Sequence, residues 1–317
     1  MPPNDAMPPN DAMPLNDDRD SGADGSDVAR PLVVGVDDSA GSLDAVRWAA
    51  AEAQRRGLPV RFVHAFAWPL VHVPAGMWKM GPEGGLRTHA EQLLSEAAGI
   101  AQVAAPGVEV TTEIRTGFAL PVLEDESRHA TWVVVGTRGT GPISGAVVGS
   151  TTIQLVGCAR CPVVVVRGDP SPRDEDLVVV GVDGSPLGAA AVGRGVEEAA
   201  RRGGRLLAVH VVRQARLGAT DTSAGLRLVN EALAGWRAKC PDLSIEERVL
   251  SGHAAGALVD LSRRAVLVVV GARGRGGFAG MLLGSVSQTL LYHAYCPVMV
   301  VSISCAGDAA SDAGRRG

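Results

Sequence analysis

The sequence predicts an α/β protein built as two tandem, open, five-stranded, mostly parallel sheets flanked by helices, a Rossmann-like architecture. Three observations carry that prediction. Aliphatic residues dominate a chain that is 46% hydrophobic and only 3% aromatic, a balance that favours strands covered by helices on both faces over aromatic-rich β folds. Short valine-rich runs alternate with stretches whose apolar residues fall three and four apart, as strands alternate with amphipathic helices. The pattern occurs twice, so the 317 residues divide into two comparable units.

The duplication is readable residue by residue. Val33-Val34-Gly35-Val36-Asp37-Asp38-Ser39 returns as Val179-Val180-Gly181-Val182-Asp183-Gly184-Ser185 at an offset of 146. The helical stripe Leu43, Val46, Ala50, Ala53 returns as Ala189, Val192, Val196, Ala199, and His64 as His210, at the same offset. Further on, Val133 to Gly149 matches Val268 to Gly284, and Cys161-Pro162 matches Cys296-Pro297, at an offset of 135, so the second copy is 11 residues shorter between His64 and Gly117.

In the first copy, residues 32–36 form an apolar run ended by Asp37-Asp38-Ser39, a capping group before an amphipathic segment. A second strand is expected at 60–65, a helix at 91–103, a third strand at 109–116, and a helix at 119–130. A fourth strand at 132–136 leads into a glycine loop, a helix at 150–157 and a last strand at 162–167. Strands separated by helical segments pair in parallel through right-handed crossovers, and ligands of such sheets sit beyond the carboxyl ends of the strands. Gly193 and Gly195 fall inside the first helix of the second copy, each costing up to about 1 kcal/mol relative to Ala, which predicts a softer second domain.

The domain boundaries follow from composition. Residues 1–30 repeat MPPNDA, MPPNDA, MPLNDD and then turn Gly/Ser/Asp-rich, too polar to order themselves; we expect a disordered tail there and another at 304–317. The first domain spans 31–167, a Pro/Asp-rich linker 168–176, and the second domain 177–303. Seven Asp in the N-terminal tail carry the acidity behind the net charge of −4, and no basic stripe marks a nucleic-acid surface. No apolar run nears membrane-spanning length. Five cysteines without a signal-peptide pattern predict a reducing, cytoplasmic setting.

Beyond the fourth strand of each copy lies the motif that carries the chemistry. Gly136-Thr137-Arg138-Gly139, nine residues, then Gly149-Ser150 is matched by Gly271-Ala272-Arg273-Gly274, nine residues, then Gly284-Ser285. Glycines permit positive φ and let backbone N–H groups approach a ligand. Gly149-Ser150 and Gly284-Ser285 open helices whose free amides and positive dipole end suit an anion. One glycine-rich loop is often a plain connection; two at identical spacing, each after the same strand, favour phosphate binding. Neither copy is a Walker A loop, since no lysine follows the last glycine.

The pairing of GVDDS or GVDGS on the first strand with G-x2-G-x9-G-S after the fourth, followed by CPVVVV or CPVMVV, closely resembles the universal stress protein family in its tandem form, over about 31–167 and 177–303. The resemblance implies a five-stranded α/β fold, ATP with a divalent ion such as Mg²⁺, and dimerisation through the last strand. It places Asp37 and Asp183 at the adenosine end, and Ala65 and Val211 against the adenine by backbone contact. It wraps the phosphates with Gly136, Gly139, Gly149 and Ser150 in the first domain and with Gly271, Gly274, Gly284 and Ser285 in the second. Independently, an acid at the end of the first strand can accept from a ribose hydroxyl or an adenine amine, or cap the following helix. Arg138 and Arg273 fit either a phosphate contact or a solvated loop position.

Phosphoryl transfer needs charge neutralisation and a group that orients the nucleophile, yet 140–148 and 275–283 contain no Asp, Glu, His or Lys. The expected function is therefore an ATP-binding sensor or regulator in stress response. A slow ATPase, a nucleotidyl-transfer enzyme, or a scaffold for another adenine nucleotide such as cyclic AMP stay open. Pairing of the two last strands within the chain and a homodimer through another face are both expected. Cys158-Ala-Arg-Cys161 has redox spacing but lacks a second pair, His64 and His210 read as satisfied core histidines, and Trp68 and Trp78 sit in the first-copy insertion as a lid or an interaction surface.

Overall fold

A computed structural model describes residues 29–66, 82–137, 148–167, 176–212, 222–275 and 282–302, with 82–86 as backbone alone. Nearly all of the expected tails and linker, and the segment bearing Trp68 and Trp78, lie outside those residues. The first half runs β1 (Leu32–Gly35), α1 (Ala40–Arg56), β2 (Val60–Phe66), α2 (Pro82–Ala104), β3 (Val110–Thr116), α3 (Ala119–Glu126), β4 (Trp132–Gly136), α4 (Ser150–Cys158) and β5 (Val163–Val166). The second repeats the order as β6 (Leu177–Gly181), α5 (Pro186–Arg201), β7 (Arg205–Val212), α6 (Thr222–Lys239), β8 (Ser244–Ser251), α7 (Ala254–Leu261), β9 (Leu267–Gly271), α8 (Ser285–His293) and β10 (Val298–Val301).

The expected elements all form, and one boundary moves substantially. Helix α2 starts at Pro82, well before residue 91, because its first turns carry Gly84, Gly85 and one aliphatic residue, Leu86, ahead of the exposed Arg87, Thr88 and His89; among the described side chains the buried stripe runs Ala90, Leu94, Ala97 and Ala101.

The two five-stranded sheets fuse into one. Strand order is β3-β2-β1-β4-β5-β10-β9-β6-β7-β8, parallel within each half and antiparallel only at the centre, where Val298 faces Val165, Met299 faces Val164 and Val300 faces Val163. The pairing of last strands that the family resemblance implies is thus made inside a single chain. Because the seam is antiparallel, the carboxyl ends of the two sets of strands emerge on opposite edges of the sheet. Alternate side chains feed two continuous apolar layers. Val34, Val164, Met299 and Val180 belong to the layer under α1, α2, α5 and α6, while Val33, Val163, Val300 and Val179 belong to the layer under α3, α4, α7 and α8.

The glycines inside α5 serve packing. A Cβ on Gly195 would lie 3.1 Å from Val180 Cβ, and one on Gly193 would lie 2.7 Å from the Trp236 ring. These two glycines let α5 approach β6 and α6 closely, a packing gain to set against their helix-propensity cost.

Sequence reasoning missed a charged ring where the halves meet. Arg56 Nε donates to Glu52 at 2.9 Å and its Nη2 reaches across to Glu198; Arg202 donates to Glu198 at 2.6 Å and reaches back to Glu52 at 2.8 Å. All four side chains are at most 5% exposed, and the Arg56 guanidinium lies 3.8 Å from the centre of the Trp132 ring. Each buried charge has at least two opposite partners, Glu52 a third in Arg55, which is the condition under which burial of ions is tolerated. Glu198→Ala leaves Arg56 and Arg202 short of a partner in a dry site, and urea unfolding should show a loss of about 3–5 kcal/mol.

Candidate functional site

The site forms where the strand order reverses, between β6 and β9 in the second half and between β1 and β4 in the first. After β6 the chain turns sharply through Val182-Asp183-Gly184-Ser185 into α5. Ser185 caps that helix by accepting from the Gly188 amide at 3.0 Å, and Asp183 Oδ1 fixes the cap by accepting from the Ser185 amide at 2.9 Å and hydroxyl at 2.7 Å. The first half repeats this geometry: Asp37 Oδ1 accepts from the Ser39 amide and hydroxyl at 3.0 and 2.6 Å, and Ser39 Oγ accepts from the Ser42 amide. The serine is the cap, and the aspartate orients it. A carboxylate held by its neighbours this way keeps a fixed position at the strand end.

His64 and His210 also repeat. Nδ1 of each lies 2.8 and 2.7 Å from the carbonyls of Val36 and Val182. A carbonyl only accepts, so Nδ1 carries the proton and Nε2 is the acceptor of the neutral ring. Both are satisfied, as expected, yet His210 also lines the cavity described below.

The glycine loop leaves β9 through Gly271-Ala272-Arg273-Gly274-Arg275 and re-enters the described residues at Leu282. Its two ends are stapled together: the Ala272 carbonyl accepts from the Gly284 amide and from Ser287 Oγ, both at 2.8 Å. In the first half the Gly149 amide donates to Thr137 O at 3.0 Å. Helices α8 and α4 begin at Gly284 and Gly149, neither of which offers a side-chain cap. Their first-turn amides and positive dipole ends thus face outward, in contrast with the capped starts of α1 and α5.

A cavity of about 700 Å³ opens at this point in the second half, within the usual size range of small-molecule sites. Asp183, Val211, Gly271, Arg273, Gly274, Gly284 and Ser285, the whole second-domain set expected from sequence, line it. Its lining combines apolar Val209, Val270, Ala254 and Leu258 with the loop arginines and the start of α8. The apolar part suits a flat base, and the arginines with the helix start suit an anion.

In the first half, Asp37, Ala65, Gly136, Gly149 and Ser150 stand at the corresponding places at the ends of β1, β2 and β4 and the start of α4. Arg138 and Gly139 lie outside the described residues.

Two expectations need correction. None of Gly136, Gly149, Gly271, Gly274 or Gly284 has a positive φ, so these positions supply space and not a left-handed backbone. Nor is the space of Gly136 and Gly271 all for a ligand. A Cβ on Gly136 would lie 2.4 Å from the Gly41 backbone of α1, and one on Gly271 would lie 2.9 Å from Leu187 Cβ of α5. Gly271 borders the cavity while its missing side chain makes room for the helix. Gly274 gives way to Asp183, whose Oδ2 would lie 2.4 Å from a Cβ there.

Sequence reasoning also passed over Arg275, which lines the cavity and donates its amide to Asp183 Oδ2 at 3.2 Å. Its counterpart by the 135-residue offset is Thr140, so comparing the copies for shared residues hides it. Outside the site, burial, reinforced by nearby Glu124, pushes the Cys158 thiol pKa up, opposite to the shift that makes a reactive thiolate. Among the described residues no group of three or more His, Cys, Asp and Glu side chains could hold a metal, and no helix is long and apolar enough to cross a membrane.

Two doubly wound halves on one sheet, with a ligand-sized cavity beside a glycine loop at the carboxyl edge of the second, define a tandem, doubly wound α/β protein. The model of the universal stress protein family matches residues 29–167 and again 176–302. The chain belongs to that family. It is 39% identical over 282 residues to a universal stress protein of Mycolicibacterium smegmatis, covering 85% of this chain and 96% of the relative. It is 36% identical over 288 residues to the universal stress protein Rv2623 of Mycobacterium tuberculosis, covering 85% and 95%. The crystal structure of a universal stress protein from Archaeoglobus fulgidus superposes with a TM-score of 0.67 at 19% identity, covering 87% of this chain and 97% of that one, a likeness of fold.

The dual position of the first motif glycine makes a stability prediction. With no ligand added, Gly136→Ala and Gly271→Ala should each lower the urea-unfolding free energy by roughly 1–3 kcal/mol through overpacking, Gly136→Ala more because it meets rigid backbone. Unchanged stability would assign these glycines to ligand contact alone.

Proposed function

We infer that this chain is a cytoplasmic, ATP-binding regulator of the stress response, whose nucleotide occupancy changes its conformation or its choice of protein partner. The observation that carries the reading is the convergence of all seven second-domain positions on one cavity of about 700 Å³. The residues there fit the nucleotide. Val211 sits on β7 beside the apolar wall, where a base finds both backbone polar groups and hydrocarbon. Asp183 is fixed at the strand end, within reach of a ribose. Gly274, Gly284 and Ser285 with the start of α8 provide the cradle for phosphate oxygens. In the first half, Asp37, Ala65, Gly136, Arg138, Gly139, Gly149 and Ser150 take the same parts.

Mg²⁺ would travel with the triphosphate, held mainly by phosphate oxygens and water, as is usual for this ion. The carboxylate that lines the described cavity is Asp183, and both its oxygens already accept hydrogen bonds. Among the described residues that line the cavity, His210 is the side chain left with a free acceptor nitrogen, and it stands next to Val211 at the proposed base-binding strand and not in the glycine loop. The reading is therefore of binding and release, with turnover well below about 1 s⁻¹. Because β5 and β10 cover each other, a homodimer would use another surface.

Gly284→Asp separates binding from folding. Gly284 has φ −81° and ψ 162°, the ordinary N-cap conformation, and the nearest atom to an added Cβ is 3.5 Å away. An aspartate there caps α8 and complements its dipole, adding a few tenths of a kcal/mol or more, while placing a negative charge where phosphate would rest. Calorimetric titration should show ATP affinity at the second site falling more than about tenfold with the melting temperature unchanged or raised. ATP binding that survives this change intact would overturn the phosphate cradle. Nucleotide released from the purified chain and identified chromatographically tests the ligand itself.

A further inference from the structure

The two sites differ at their mouths in a way the duplication conceals. In the second half, Arg275 is tethered at the cavity by its amide on Asp183 Oδ2 at 3.2 Å and by Nη2 near the Gly184 carbonyl at 3.4 Å. Gly184 has a φ of 71°, and a Cβ there would lie 2.1 Å from Arg275 Nη2. The absent side chain is thus where the guanidinium rests. In the first half both members of this pair change: Asp38 stands where Gly184 stands, and Thr140 corresponds to Arg275. Asp38 instead faces α2, where His89 Nε2 lies 3.0 Å from its Oδ1; α6 carries Ala224 at the corresponding position. One mouth has gained a cation and the other a carboxylate, a difference of two formal charges when His89 is neutral.

We propose that Arg275, seated on Gly184, reads the phosphate charge of the ligand, so that the second site takes the triphosphate selectively while the first, with Asp38 in place of Gly184 and no arginine at the sequence position matching Arg275, discriminates weakly between adenosine tri- and monophosphate. This rests on the adenine-nucleotide reading above. The second cavity already presents Arg273 and the open start of α8. Among the described residues the guanidinium of Arg275 holds one long bond, to a neutral carbonyl, which a phosphate oxygen outcompetes because both partners are then charged. At the first mouth, Asp38 adds a carboxylate that repels the outermost phosphate, with His89 as its partner among the described residues.

The test uses the full chain with one site silenced at a time, the first by Gly149→Asp and the second by Gly284→Asp, titrated calorimetrically with ATP, ADP and AMP at constant Mg²⁺. With the second site open, affinity should fall in that order. Arg275→Thr should weaken ATP binding by about tenfold and AMP by much less, and Arg275→Lys should keep most of the ATP preference. With the first site open, the ATP-to-AMP ratio should be small and should rise in the double variant Asp38→Gly with Thr140→Arg. Nucleotide binding with a ratio untouched by Arg275→Thr overturns this inference alone. No adenine nucleotide bound by the unsubstituted chain overturns the functional reading and this inference with it. Circular dichroism of each variant confirms that the fold is kept.

Discussion

The antiparallel pairing of β5 with β10 is the constraint on which the rest of the molecule depends. All eight residues of these strands are buried. At about 1.5–3 kcal/mol for each side chain removed from water, that seam outweighs the charged ring beside it, since a well-paired buried ion cluster contributes little net stability against an apolar replacement. The seam supplies the association of the halves. The ring of Glu52, Arg56, Glu198 and Arg202 restricts it to one arrangement, because any slip leaves a buried charge without its cross-partner. The same seam sends the carboxyl ends of the two sets of strands to opposite edges, so the second-half cavity and the corresponding first-half positions face different directions.

Helix α4 bridges those edges. Its start, at Gly149 and Ser150, stands at the first-half positions that match the second-half cavity, while near its end Gly157 leaves room for Leu282 from the second glycine loop, whose Cβ would lie 3.0 Å from a Cβ on Gly157. The corresponding position on α8 is Tyr292, so the two halves do not meet each other's loops identically. Repetition of the fold and difference of the sites therefore coexist. Strands and capped helices are held to one pattern by shared cores, whereas the loops and mouths are free to diverge.

The glycines show how one residue type answers separate demands. Gly136 and Gly271 bring a strand end against the next helix, Gly274 admits the carboxylate of Asp183, Gly284 starts a helix without capping it, and Gly184 takes a positive φ beneath Arg275. A motif that reads as a uniform phosphate loop is physically a set of close approaches, whose three second-half glycines also border the cavity.

By itself the sequence determined the fold class, the order of strands and helices, the family, and the second-domain positions that surround one cavity. These are legible because burial on two faces demands continuous apolar runs, amphipathic helices keep a 3.6-residue period, and duplication repeats every position held by a common constraint. What it left undecided depends on which surfaces meet. Glu52 with Arg56 and Glu198 with Arg202 read as ordinary exposed pairs four apart on a helix, and only the seam turns them into one buried ring. Arg275 and Gly184 lie 91 positions apart and match nothing in the other copy, so their partnership exists only once the loop is folded back over the turn. Spacing along a chain records local geometry. Contacts between distant segments are set by the closing of the sheet.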